Sequence, residues 1–226
     1  MVIVPLLQID RDVFTLAEAA RHLRLPQSTL RWWLDGRGRH PPVLRPDRTG
    51  RPIVTWAEFV EAGLLRQYRR QEAVPLAELR SFIDKLRDEL GVPYPLAHAR
   101  PWVGEGKRLL LEAQSKAQLD PEFCLVAEVS GQLVLTSASD AFVRRVRFEG
   151  DVAVGWRPHD DPESPIEMQP DVRFGRPAIK GISTEAIWEH LQADESEEEV
   201  AEQFDLELDD VRWAMAYESA PRRSAA

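Results

Sequence analysis

The sequence predicts an α+β fold in three parts. A winged helix-turn-helix head is expected over residues 1–91, a linker and small middle β-rich domain over 92–165, and an acidic three-helix, helix-turn-helix-like domain over 166–226. Three observations predict it. Two short helix signatures around Leu25-Pro26, followed by an arginine-rich and turn-rich stretch, occupy Phe14–Trp56. Prolines at 93, 95 and 101 then break the helical pattern, and a second run of short helices closes the chain with the opposite charge.

Residues 1–13 are a lead-in with a short strand expected at Val2–Val4. Thr15 and Glu18 have capping-box spacing, so a helix starts there, with Leu16, Ala17, Ala20 and Leu23 as its small and apolar residues. Gln27, Ser28 and Thr29 open a second helix, in which Leu30 and Leu34 bury together and leave Arg31 and Trp32 to point elsewhere. Beyond Gly36 come Arg37, Gly38 and Arg39, then two β-prone runs around a turn with Pro46, Asp47 and Gly50, which is the outline of a wing. From Arg21 to Arg51 there are eight arginines against two acids, Asp35 and Asp47, and phosphate is the natural counterion of such a segment. Thr55 caps a following helix with Phe59, Gly63, Leu64 and Tyr68 inward and Arg66, Arg69 and Arg70 near its end. A further helix runs from Pro75 through Leu79, Phe82, Ile83, Leu86 and Leu90 to Gly91.

Thr29-Leu30-Arg31-Trp32-Trp33 stands where the MerR-type winged-helix regulators have Thr-hydrophobic-Arg-Tyr-Tyr, and Val43-Leu44-Arg45-Pro46 where they have a leucine-arginine-proline wing. Residues 12–91 resemble that family. The resemblance places Arg31 and Trp32 on the DNA backbone and Arg45, Arg48 and Arg51 along the wing. With Gln27, Ser28 and Thr29 at the start of the recognition helix, and Arg37 and Arg39 beyond it, these form the expected DNA-binding set. Trp33 is expected in the core. Gly50-Arg51-Pro52-Ile53-Val54 departs from the family's Gly-Tyr-Arg-x-Tyr, and no long coiled-coil helix follows, so effector sensing and that mode of dimerisation are not implied.

In the middle part, strands are expected at 108–113, 123–129 and 132–136, then a short helix at Ala138–Arg145. A strand pair, Val152–Arg157 and Ile166–Gln169, flanks the acidic loop at His159 to Glu163. Residues 170–182 are turn-rich, and helices follow at Ser183–Ala193, Ser196–Phe204 and Glu207–Glu218. Ser196 and Glu199 repeat the capping box, and Leu208, Val211, Ala214 and Met215 form an apolar stripe. From Ser183 to Glu218, Arg212 is the one base against thirteen acids, a face that rejects DNA and suits a basic protein.

Pro170-Asp171, Gly175-Arg176-Pro177, Ile179 and Gly181 make residues 166–219 similar to a compact domain of unknown function found in bacterial antitoxins, with Ile182-Ser183 in place of its Thr-Arg. Joined to a MerR-like head, the arrangement resembles the VapB-type antitoxins paired with PIN-domain ribonucleases. That resemblance implies operator DNA and a cognate PIN-domain toxin as partners, in a homodimer or a hetero-oligomer with the toxin. Trp188, Trp213 and Tyr217 are candidate toxin contacts as interface aromatics, with Arg212, while core packing is the competing reading of those rings. Arg222-Arg223 would enter an acidic ribonuclease site, or form an untied tail.

The net charge of −9 hides its distribution: residues 1–108 hold 18 bases and 13 acids, residues 109–226 hold 11 and 25. A single cysteine, Cys124, excludes an internal disulfide, and no apolar run approaches the ~18 residues of a membrane span, so a cytoplasmic, membrane-free protein is expected. His22, His40, His98, His159 and His190 are scattered without metal-ligand spacing, and Gly104-Glu105-Gly106-Lys107 lacks the rest of a phosphate loop. His159-Asp160-Asp161 fits a solvated loop better than a cation site. No catalysis, metal or cofactor is expected. The alternative reading is a stand-alone MerR-like transcriptional regulator whose middle domain senses a ligand.

Overall fold

The computed structural model describes residues 9–71, 76–159 and 161–222, and the protein is α+β, its strands paired in small two-stranded sheets. The strand at Val2–Val4, the helix start at Pro75 and Arg223 lie outside these residues, as do the side chains of Tyr68, Arg69, Arg70 and Arg222. The chain packs as two compact units, Met1–Val154 and Gly155–Ala226.

The first unit opens with β1 (Asp12–Thr15), which pairs antiparallel with β2 (Ile53–Thr55) and so ties the end of the wing to the start of the first helix. In α1 (Leu16–His22) the capping box forms: Glu18 N donates to Thr15 Oγ1 at 3.2 Å, and Thr15 N to Glu18 Oε2 at 2.9 Å. The helix ends in a Schellman turn, with Arg24 left-handed at φ 50° and Leu25 N bonded to Ala20 O. Leu23 is fully buried between α1 and α2 (Gln27–Asp35). Thr55 and Glu58 cap α3 (Trp56–Gln71), whose Phe59 packs at a tilt on Phe14 and stacks on Trp56 to form the aromatic centre of the head. Helix α4 (Leu76–Leu90) buries Leu79, Phe82, Ile83 and Leu86, the stripe its sequence spacing predicts.

The expected wing hairpin does not form. Val43 and Leu44 are both buried, and both amides donate to Trp33 O, so the run tucks beneath α2 instead of alternating as an edge strand. Residues 108–113, expected as a strand, lie in α5 (Gly106–Lys116), which buries Leu110, Ala113 and Gln114 at helical spacing. Its first residue must be glycine, because a Cβ on Gly106 would sit 1.7 Å from Arg100 O. Strands β3 (Val126–Val129) and β4 (Gln132–Leu135) pair as expected across Ser130-Gly131, followed by α6 (Ser137–Val143). A strand absent from the sequence reading, β5 (Val146–Glu149), pairs with β6 (Val152–Trp156), while Ile166–Gln169 contributes bridges such as Trp156↔Met168.

Residues 92–154 pack on the head. Helix α5 lies against α4 and α6 against α3, and the Trp56 indole donates to Ala153 O at 2.7 Å. The buried Gln114 amide joins α5 to β3 by donating to Val126 O and accepting from the amides of Leu125 and Val126.

In the second unit β7 (Ala178–Ile179) and β8 (Ile182–Ser183) lead into α7 (Thr184–Gln192), α8 (Glu197–Phe204) and α9 (Leu208–Arg222). Ile166, Ile179, Ile187, Val200, Val211, Ala214 and Tyr217 form the core, with Leu208 packed against it, while Met215, expected in the same stripe, is half-buried and not part of the cluster. The Ser196–Glu199 capping box forms, and α8 ends as α1 does, with Asp205 left-handed and Leu206 N bonded to Ala201 O. Two helix-turn-helix elements of one turn geometry therefore sit in the two units. No described helix is long and apolar enough to cross a membrane.

Candidate functional site

Helix α2 divides cleanly. Gln27, Ser28, Arg31 and Trp32 face solvent, while Thr29, Leu30, Trp33 and Leu34 are buried, as a 3.6-residue period requires. Trp32 is 37% exposed and Trp33 2%, so the adjacent tryptophans have separate roles. The helix begins at Pro26 without a side-chain cap and with no acid in its first turn, which leaves its positive end open to an anion. Beyond it, Gly36 has φ 70°, and a Cβ there would lie 2.2 Å from His40 O. That close approach permits the tight turn in which Arg37 and His40 exchange backbone hydrogen bonds, with Arg37 and Arg39 exposed at its corners. Arg48 is exposed and steadies this turn by donating to Gly38 O and His40 O. Arg51 is exposed and pairs with Asp12 at 2.6 Å, a contact weakened by solvent. Arg21 and Arg24 add two exposed cations on α1 and its turn.

Two residues of the expected DNA-binding set are not on this surface. Thr29 is buried in the first turn of α2. Arg45, 2% exposed, has its guanidinium consumed within the protein: Nε donates to Glu58 Oε1 at 2.7 Å, Nη1 to Asp35 Oδ1 and Thr49 Oγ1, and Nη2 to Ile53 O. Burial pulls the Arg45 pKa down, but Glu58 and Asp35 outweigh it and the net shift is upward. Arg45 therefore holds the wing from inside and presents no charge to phosphate. Asp35 completes the clamp by accepting from Gly50 N at 2.9 Å.

Behind the wing lies a polar network that the sequence reading did not include. Arg80 donates to Pro41 O and Pro42 O, and Arg87 to Leu44 O and Pro93 O. The Tyr94 hydroxyl donates to Glu58, and burial with that carboxylate pushes its pKa up. Glu61 is fully buried, accepts from Leu96 N at 2.9 Å, and has its carboxyl pushed up to about 8, chiefly by burial and against the pull of Arg87.

The second unit distributes its expected contact residues differently. Tyr217 is in the core, Trp188 is half-buried, and Trp213 packs on that core and edge-on to His159 at 5.1 Å. Arg212 is exposed but paired with Glu197 at 2.9 Å and with Asp209. The aromatic stripe is mainly structural. The sequence reading missed Phe174, which is 75% exposed on the loop before β7. Among the described residues no group of three His, Cys, Asp or Glu side chains could hold a metal ion. The half-buried Cys124 thiol has its pKa raised by burial and by Asp120.

Residues 166–217 match DUF433, a protein family of unknown function. The chain is 26% identical over 229 residues to the "Putative antitoxin VapB45" of Mycobacterium tuberculosis, spanning 92% of this chain and 95% of that protein. The crystal structure of Rv2018 from the same organism has the same fold, with a TM-score of 0.74 at 24% identity over 92% of this chain and 99% of that one. Over 219 residues, 92% of this chain and 91% of the relative, it is 32% identical to the "Uncharacterized protein Rv2308" of Mycobacterium tuberculosis, and it belongs to the family of that protein.

Proposed function

We propose that this protein is the antitoxin of a type II, VapBC-like toxin–antitoxin pair. In this reading the DUF433 unit neutralises a PIN-domain ribonuclease toxin, and the head binds operator DNA to repress the operon. Kinship with a protein named as a VapB antitoxin supports the toxin partner. The observation that carries the two-ended reading is charge on matched motifs. The exposed face of α2 and the turn beyond it carry Arg31, Arg37 and Arg39, whereas the helices of the second unit display acids almost throughout. The protein acts by binding and performs no catalysis.

DNA binding is tested by fluorescence anisotropy with a duplex taken from immediately upstream of this reading frame, at several salt concentrations. Replacing Arg31 and Arg39 by Ala should lower affinity and reduce the slope of log affinity against log salt by about 2, at roughly 0.9 per phosphate contact. An unchanged slope with both arginines gone would overturn the head's assignment.

A further inference from the structure

We infer that Phe174 is the anchor by which the second unit seats on a basic partner protein with an apolar socket. The inference rests on the antitoxin reading and names the contact through which that partner is held.

Phe174 is 75% exposed, more than any other large hydrophobic of the described chain. Its backbone explains why it stays out. Arg173 and Phe174 have φ of 49° and 56°, the one consecutive pair of non-glycine residues among the described residues in the left-handed region, and Gly175 continues it at 78°. That conformation is disfavoured for a bulky L-residue and persists where surrounding structure imposes it. Here Gly175 N bonds to Val172 O, Arg176 N to Arg173 O, and Arg173 Nε to Gly181 O across the β7–β8 turn. The other left-handed non-glycine residues stand singly in turns that account for them: Arg24, Gln118, Asp194 and Asp205 follow helix ends, and Ser130 and Lys180 sit in the β3–β4 and β7–β8 turns. Phe174 ends no helix and buries little of its ring. An exposed ring on a loop whose backbone is held by these bonds is presented for insertion into a pocket.

Charge selects the partner. The cations around the ring are engaged within the unit: Arg176 pairs with Glu185 at 3.2 Å, and Lys180 with Asp210 at 2.9 Å. Residues 155–226 hold 18 acids and 7 bases, so the unit as a whole attracts a cationic protein and repels a second unit of its own kind.

The test uses the full chain and the product of the reading frame adjoining its gene, co-expressed and then titrated against each other. Phe174→Ala should weaken the complex about 30-fold or more while leaving thermal stability and operator binding unchanged. Phe174→Gly should lose binding equally but melt higher, because glycine adopts the left-handed region freely. Binding by both variants within about twofold of the wild type, at a hot-spot scale of ~30-fold, overturns the anchor and leaves the antitoxin reading standing. Absence of any complex with the wild-type chain removes that reading and the anchor with it. Self-association in sedimentation that Phe174→Ala abolishes would make the occupant a second copy, and also overturns the inference.

Discussion

Replacing Arg45 by Met separates two roles that charge alone does not distinguish. The substitution keeps an apolar stem and removes the guanidinium from between Glu58 and Asp35, whose side chains are 4% and 19% exposed. Breaking a buried pair from one side costs about 3–5 kcal/mol, because the other charge is left without a counterion. Thr49 Oγ1 and Ile53 O lose a donor as well, at roughly 1 kcal/mol each, partly recovered where water reaches Asp35. Near 4 kcal/mol overall, and at roughly 2–4 °C per kcal/mol for a unit of this size, the melting temperature of the first unit should fall by about 8–16 °C. Thermal unfolding followed by circular dichroism measures this, with limited proteolysis between residues 43 and 51 reporting the freed wing. Arg31→Ala is the contrast: its side chain is exposed, so DNA affinity should fall while the melting temperature holds. If Arg45→Met melts like the wild type and instead loses affinity with a shallower salt slope, Arg45 is a phosphate contact and the buried clamp is refuted.

Other consequences are equally direct. Glu61 has its carboxyl raised to about 8 from an ordinary 4.5, so its contribution to stability is full below pH 4.5 and is lost as pH rises through 8. Denaturant titrations at pH 5, 6.5 and 8 should show the first unit weakening at up to ~1.4 kcal/mol per pH unit from this group, and Glu61→Gln should flatten that slope. An identical slope in the variant means the carboxyl is not held neutral. Gly36→Ala places a methyl group against His40 O at positive φ and should cost at least ~1–2 kcal/mol, read as a lower melting temperature. Ser196→Ala removes a capping-box acceptor and should destabilise the second unit by about 1 kcal/mol without altering DNA affinity.

Where a helix carries its own boundary, the sequence disclosed it. Thr15 with Glu18 and Ser196 with Glu199 set their helix starts within four residues, and the stripe Leu79–Phe82–Ile83–Leu86 states its buried face outright. On α2 the same period set Leu30 and Leu34 inside and Arg31 and Trp32 outside, while the family resemblance placed Trp33 in the core and Thr29, expected among the DNA contacts, is buried. Illegible parts depend on distance. The wing takes its shape from Arg45 reaching Asp35 ten residues back and Glu58 thirteen residues on, and no local pattern encodes that reach. Charge identified Arg45 as basic without locating it, and the family resemblance moved it to the surface. Leu109-Leu110-Leu111 fits a strand or a helix alike, and the packing of α5 on α4 decided for the helix. Phe174 stands in a turn-rich stretch where no periodicity marks it, and its strain is visible only in φ.

The matched turns at Arg24 and Asp205 show why helix-turn-helix geometry alone does not specify a nucleic-acid partner. Both turns use a left-handed residue and the same closing hydrogen bond, so the backbones offer similar helix starts. What differs is who occupies the positive end of each helix. On α2 the first turn has neither acid nor side-chain cap, and the end is open to phosphate. On α8, Glu199 already accepts from Ser196 N, with Glu197 and Glu198 beside it. At the start of α9, Asp210 accepts from Glu207 N, and Asp209 adds a further carboxylate. An incoming phosphate there meets carboxylates in the position it would take, and repulsion replaces the attraction that the dipole supplies on α2. One motif, with the start of its second helix open in one unit and occupied by carboxylates in the other, thus presents opposite charge from the two units of a single chain.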